Sequence, residues 1–269
     1  MACNIPLRTP RAPVLILDML SAIDKPLSSY DICRAGTLMD ISETAMRVSL
    51  TRLSSQGKIH RGERGQYSLV RKNRPLPQTV DQWKHKHLNA RPWRNGDWLA
   101  VHNGLVTKED RTQWRHHLLA LSLCGFAELR PHLFIRPNNL RGGISAQVRR
   151  LRQLGMAPDA VPFRLTQLET AFEEQARRLW NVDAMATVDQ QYLDALEQSQ
   201  AQLFNMPLDL AVRETMLLGR AAIAHLVRDP VLPAQLMPVQ ARERLFQLTS
   251  AYQEQAQKLW FAWLCIPHE

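Results

Sequence analysis

At Gly57 the periodicity of the chain changes, and this constrains the N-terminal fold more than composition does. Before it, three stretches read as helices. Val14–Ile23 (VLILDMLSAI) spaces its apolar residues for a buried helix. Lys25-Pro26 breaks it, because proline cannot donate to the helical ladder. Ser28 or Ser29 caps a short second helix to about Arg34, with Gly36 as its stop. The third, SETAMRVSLTRLSSQ, is capped by Ser42, carries Glu43 at the positive end of its dipole, and ends at Gly57. After Gly57, KIHRGERGQYSLV reads as two strands, Lys58–Arg61 and Gln66–Val70. Gly62-Glu63-Arg64-Gly65 joins them, its two glycines supplying positive φ. Three helices and a basic hairpin make the order of a winged helix-turn-helix.

The third helix has two unlike faces. Ala45, Ser49 and Leu53, flanked by Met46 and Leu50, form a small apolar side. Ser42, Glu43, Thr44, Arg47, Val48 and Thr51 form the other. Short hydroxyls with one arginine suit a major groove ~12 Å wide, where Arg47 can meet guanine or a phosphate. His60, Arg61 and Arg64 of the hairpin, with Tyr67 after the turn, are placed to reach neighbouring phosphates or the minor groove. These ten residues are the expected DNA-binding set.

Residues 71–97 are rich in Arg, Pro, Asn and Trp and keep neither period, which reads as a linker packed over a surface. Beyond it, Trp98–Val106 reads as a strand and Asp110–Cys124 as a helix. Ala127–Arg136 gives one or two strands, Ser145–Leu154 a basic helix and Val161–Leu165 a strand. This β-α-β(β)-α-β order suggests a ferredoxin-like module. From Leu168 onward the pattern is helical, with helices over 168–180, 183–203, 208–227 and 239–263. The expected class is therefore α+β and mostly helical. Its parts are a winged helix at 1–72, a linker at 73–97, a ferredoxin-like domain at 98–167 and a C-terminal helical domain at 168–269.

Charge is uneven along the 269 residues. Residues 1–80 carry 12 Lys and Arg against 6 Asp and Glu, residues 81–182 carry 16 against 9, and residues 183–269 carry 6 against 10. A basic front and an acidic rear fit a chain whose first two-thirds face a polyanion. No stretch approaches the ~20 apolar residues of a membrane span. The start, MACNIPLRTPRAP, has no apolar core for a signal peptide, so the cytoplasm is the expected location. The four cysteines are scattered, and His85-Lys86-His87 and His116-His117 lack metal-ligand spacing, so no metal, cofactor or disulfide framework is expected and these histidines read as surface residues. The tryptophans read as hydrophobic anchors. Alternatively Trp93 and Trp98, beside Arg94, wall an effector pocket. Arg149 and Arg150 either bind anionic groups or lie on a solvated face.

Three stretches resemble the PaaX family, repressors named after the regulator of phenylacetate degradation. ISETAMRVSLTRLSSQGKIHRGERGQYSLV is similar to that family's recognition helix and wing, with Ser42, Glu43, Arg47, Arg52, Leu53 and Gly57 on its pattern. RPWRNGDWLAVHNGL and RTQWRHHLLALSLCGFAELRPHLFIRPNNL resemble its central strand-helix-strand run. HLVRDPVLPAQLMP resembles its R-D-P-x-L-P-x-x-L-x-P signature through Arg228, Asp229, Pro230, Leu232, Pro233, Leu236 and Pro238. The resemblance implies a winged helix, a Cas2-like central module and a C-terminal helical domain. It further implies a homodimeric repressor on an inverted-repeat operator, released by an acyl-CoA thioester. The segment IDKPLSSYDICRAGTLMD departs from the family's glycine-rich stretch, and His102-Asn103 stand where a Cas2-like nuclease has an acidic residue.

The expectation is thus a DNA-binding repressor of a catabolic operon that is no enzyme. An RNA-binding or adaptor protein using the basic central module is the first alternative. A metal-dependent nuclease is the second, and the lack of paired carboxylates counts against it.

Overall fold

The computed structural model describes residue 5 and residues 7–70, 83–106 and 109–266, with the side chain of Arg64 outside the described set. The chain is mixed α+β and mostly helical, with two small antiparallel sheets. It divides into two units, Met1–Arg74 with Gln191–Ala222 and Gln247–Glu269, and Pro75–Gln190 with Ile223–Phe246. Where the sequence reading gives 168–269 a domain of its own, the long C-terminal helices are each shared between the units.

In the first unit, α1 (Ala12–Ile23) buries Leu15, Ile16, Met19, Leu20 and Ile23, one stripe at helical spacing. Asp24, at φ 53°, ends it just before Lys25-Pro26. β1 (Leu27–Ser28) leads into α2 (Ser29–Leu38), capped by Ser28, whose Oγ accepts from Asp31 N at 3.1 Å. Gly36 does not stop α2 but lies inside it, where an added Cβ would stand 2.4 Å from Met46 Cγ. The helix continues because the glycine serves close packing against α3 (Glu43–Ser55). α3 closes on Gly57 at φ 60°, with Gly57 N donating to Ser54 O and Lys58 N to Leu53 O, both at 2.8 Å. β2 (Ile59–Arg61) and β3 (Gln66–Leu69) follow, in a sheet of order β1-β3-β2. Only one of the two hairpin glycines takes positive φ: Gly65 at 72°, whereas Gly62 is extended. The four-residue connection holds a 3-10 turn, Glu63–Gly65.

This assembly shares its core with residues from the C-terminal helices. Val212 and Met216 of α8 (Leu208–Arg228) and Trp260, Phe261, Trp263 and Leu264 of α9 (Gln240–Leu264) are buried with the apolar faces of α1, α2 and α3. Polar ties flank them. Arg213 donates to Leu38 O at 2.7 Å and to Asp40 Oδ2 at 2.5 Å, Arg220 Nε to Asp18 Oδ2 at 2.7 Å, and Gln257 Nε2 to Ala22 O at 2.9 Å.

The second unit is built on a sheet of order β5-β6-β4-β7, every pair antiparallel. Its strands are β4 (Trp98–His102), β5 (Ala127–Arg130), β6 (Leu133–Pro137) and β7 (Val161–Leu165). β4 is central and buries Trp98 through Val101, and it ends at His102, four residues short of the sequence reading's Val106. Pro162 falls on the edge strand β7, where a missing amide costs no ladder bond. α4 (Arg111–Leu123), capped by Asp110, and α5 (Gly143–Gln153) complete a β-α-β-β-α-β order. α6 (Thr170–Arg177) and α7 (Val182–Leu203) follow the sheet in the chain.

The segment read as a linker is only partly so in the residues described. Residues 73–82 lie outside them. Residues 83–97 contain two 3-10 turns, Trp83–His85 and His87–Asn89, and bury Trp83, Lys86 and Trp93.

Candidate functional site

α3 presents a polar face because its apolar residues, Met46, Leu50 and Leu53, recur every three or four positions and take the core side with Ser49. Ser42, Glu43, Thr44, Arg47, Val48 and Thr51 are all exposed, Val48 by 62%. Ala45, read from sequence as part of the apolar side, is exposed too, since position 45 turns just outside the buried stripe. Ser42 Oγ caps the helix by accepting from Ala45 N at 3.3 Å. Arg47 grips Glu43 Oε1 from Nε at 2.8 Å and Nη2 at 2.6 Å, and Thr51 Oγ1 donates to Arg47 O at 3.2 Å. The Glu43–Arg47 pair is about 60% exposed on both sides, so water and salt screen it and a competing anion can exchange for Glu43.

α3 packs against β2, whose His60 and Arg61 are exposed. Tyr67 corrects the expected set: it is 8% exposed and belongs to the core with Ile59 and Leu27. Register explains this. Tyr67 pairs with Leu27 and Leu69 with Ile59, so Tyr67 and Leu69 share the apolar face of the sheet and His60 and Ser68 the other; Arg61, opposite Tyr67 at the end of β2, lies exposed at the rim of the apolar face. Alternation in Gln66-Tyr67-Ser68-Leu69 carries the same signal in the sequence.

The five residues proposed as an effector site are not brought together. Trp93 and Trp98 are core, their rings meeting edge to face at 4.9 Å, which makes them packing anchors. Their indoles are occupied, Trp93 Nε1 donating to Asp97 O at 2.6 Å and Trp98 Nε1 to Glu173 Oε2 at 2.8 Å. Arg94 lines a cleft of about 430 Å³ with Asp97, Arg164 and Arg177. Arg149 and Arg150 lie on α5, away from that lining, Arg149 exposed and Arg150 half-buried.

Asp97, at the start of β4, is buried and fully engaged. Arg164 donates to it from Nε at 2.7 Å and Nη2 at 3.0 Å, and Asn138 Nδ2 donates at 3.0 Å. Among the described residues, no group of three or more His, Cys, Asp and Glu is placed to hold a metal ion. His117 is not the surface residue expected. Fully buried, its Nδ1 accepts from Ala157 N at 3.2 Å and its Nε2 lies 3.2 Å from the Asn103 amide. Burial lowers its pKa and keeps the ring neutral.

The stretch Arg228–Pro238 shows a role that sequence reasoning left open. Lys86 Nζ donates to Val227 O at 2.6 Å and Asp229 O at 2.5 Å. Asn139 Nδ2 donates to Val231 O at 2.7 Å, and Arg136 Nη2 to Pro230 O at 3.3 Å. Asp229 Oδ1 accepts from Val231 N at 2.6 Å, stabilising a turn in which Val231 sits at φ 53°. Burial pushes Lys86 down to about 7 and Arg136 down to about 10, and raises the Asp229 carboxyl. These are the contacts of an internal clamp on backbone carbonyls. No spacing rule links Lys86, Arg136 and Asn139 across so many residues, and sequence reading had no signal for them.

Fold and site together define an α+β protein with an exposed polar helix beside a basic hairpin. No family model matches the chain, and no curated protein matches its sequence. A solved structure that is similar is the uncharacterized protein Rv0674 from Mycobacterium tuberculosis: 20% identity over 95% of this chain and 99% of that one, with a TM-score of 0.63. At that identity the likeness is one of fold. Among the described residues, no helix is long and apolar enough to cross a membrane.

Proposed function

We propose that this protein is a DNA-binding transcription regulator of the PaaX type, a repressor whose N-terminal part is a winged helix-turn-helix. The observation that carries the reading is the exposed face of α3, where Ser42, Thr44, Arg47, Val48 and Thr51 stand clear of the core beside exposed His60 and Arg61. A helix anchored by its apolar side and offering short hydroxyls, a methyl-bearing side chain and one arginine suits base edges and phosphates. The order β5-β6-β4-β7 supports a ferredoxin-like reading of the second unit. Asp97, held by Arg164 and Asn138, acts there as an anchor, which favours a regulator over a Cas2-like nuclease. In this reading two copies span an inverted repeat with recognition helices ~34 Å apart, and a small molecule relieves repression.

Binding to duplex DNA from upstream of the protein's own gene tests it, using wild type, Arg47→Ala and Arg61→Ala across a salt series. Wild-type affinity should fall steeply with salt, and Arg47→Ala should weaken sequence-specific binding about tenfold or more. Wild-type affinity in Arg47→Ala would remove α3 as the reader.

A further inference from the structure

The first unit contains a cleft of about 410 Å³ that opens onto α3. α2, α3, α8 and α9 build it, and its lining includes Tyr30, Arg34, Leu38, Arg47 and Trp263. That volume lies in the range of small-molecule sites, at its lower end. Its charges are unevenly satisfied. Glu43 holds Arg47, and Asp209 Oδ1 accepts from Trp263 Nε1. Arg34 has no carboxylate partner among the described residues; its guanidinium lies 3.9 Å over the Trp263 ring. Stacking fixes the plane of the guanidinium and leaves its N–H edge for an acceptor. Cys33, also in the lining, has its thiol pushed up by burial and stays uncharged at neutral pH.

We propose that this cleft binds a small organic carboxylate, its anionic end taken by Arg34 and Arg47 and its apolar body set against Leu38, Tyr30 and Trp263. A planar carboxylate matches a guanidinium fork, and the mixed lining suits an apolar body. The small volume selects a compact acid over a thioester carrying a nucleotide. Arg47 is the link to regulation. A carboxylate in the cleft competes with Glu43 for this arginine and draws it from the exposed face of α3. Ligand and DNA then oppose each other by the same factor in both directions. This consequence rests on the DNA-binding reading; occupancy of the cleft does not.

Calorimetry on the full chain tests occupancy, with benzoate and hexanoate as probes and benzamide as the uncharged control. Wild type should bind a carboxylate saturably, in the millimolar range or tighter, and benzamide at least about tenfold more weakly. Arg34→Ala should lose about tenfold or more, and so should Arg34→Gln, which keeps a polar stem over Trp263. Arg141→Ala, at an exposed position outside the lining of this cleft, should bind as wild type. No saturable binding of either acid, equal binding of benzamide, or wild-type affinity in both Arg34 variants would overturn the proposal. Duplex binding with and without benzoate forms the second arm. Benzoate binding by a protein that binds no duplex upholds the cleft and removes the repressor reading. Duplex binding without carboxylate binding does the reverse.

Discussion

Gly36 shows how one hydrogen atom sets the distance between two helices. A methyl group there would meet Met46 Cγ at 2.4 Å, well inside contact distance, so α2 and α3 approach as they do because position 36 has no side chain. Alanine has the better helix propensity by about 1 kcal/mol, but overpacking a core costs about 1–3 kcal/mol. Gly36→Ala should therefore destabilise the protein in urea. The effect should shrink in a Met46→Ala background, where the space is vacated. A double-mutant cycle reads this as a coupling; strict additivity would show that Met46 moves aside without cost. Tyr67 makes a related point. Its chemistry, a ring with a hydroxyl beside a basic turn, invited a role at DNA, but its odd-numbered place in β3 turns it inward.

At the scale of elements, α3 and the Arg228–Pro238 stretch contrast in how they are held. α3 is specified locally: Ser42 caps it, an apolar stripe anchors it, and Gly57 ends it in a left-handed conformation. Gly57 has nothing within 4 Å of its would-be Cβ, so Gly57→Ala should cost about 1 kcal/mol through backbone strain alone. The wild-type and variant urea midpoints measure it; no change would mean that the helix ends without the left-handed residue. The Arg228–Pro238 stretch is held by distant partners. Asn139→Ala removes a donor from the buried Val231 carbonyl and an acceptor from Arg136. Unpaired buried groups cost about 1–3 kcal/mol each, so this variant should be less stable by at least that much. Pulsed hydrogen exchange should show the loss concentrated at residues 227–238, and a uniform loss would argue against a local clamp.

For the whole molecule, the buried cations of this clamp make stability depend on pH. Lys86 falls to about 7 when folded because burial disfavours its charge, whereas its ordinary value is 10.5. Between those values the unfolded chain binds more protons, so stability rises with pH from about 7 towards 10. The slope is at most about 1.4 kcal/mol per pH unit. Asp229, Arg136, Arg150 and Cys124 all act on Lys86 electrostatically. Asp229, raised by burial, works oppositely: its contribution falls as pH rises above the ordinary carboxylate range. Urea titrations from pH 7 to 9 should show the rise in wild type and lose most of it in Lys86→Met. An unchanged slope would mean that Lys86 is not its source.

What the sequence by itself determined lies in short-range patterns. The caps at Ser28 and Ser42, the stripe of α1, the end of α3 at Gly57 and the β-α-β-β-α-β order are all legible, because each is decided within a few residues. The exposed side of α3 was legible for the same reason, since helical period alone separates Arg47 and Val48 from Met46 and Leu50. Tertiary structure decided the rest. β1 has two residues, too few to show a period, and exists because β3 offers it hydrogen bonds. Trp93 and Trp98 became core, and Lys86, Arg136 and Asn139 converged on carbonyls some 90 to 140 residues away. The apolar stripes of α8 and α9 announce burial without naming a partner, and only packing joined Trp263 to Arg34 and so made a cleft beside α3. Backbone hydrogen bonding and helical period act over one or two turns, whereas burial is shared among surfaces that meet only once the chain is folded.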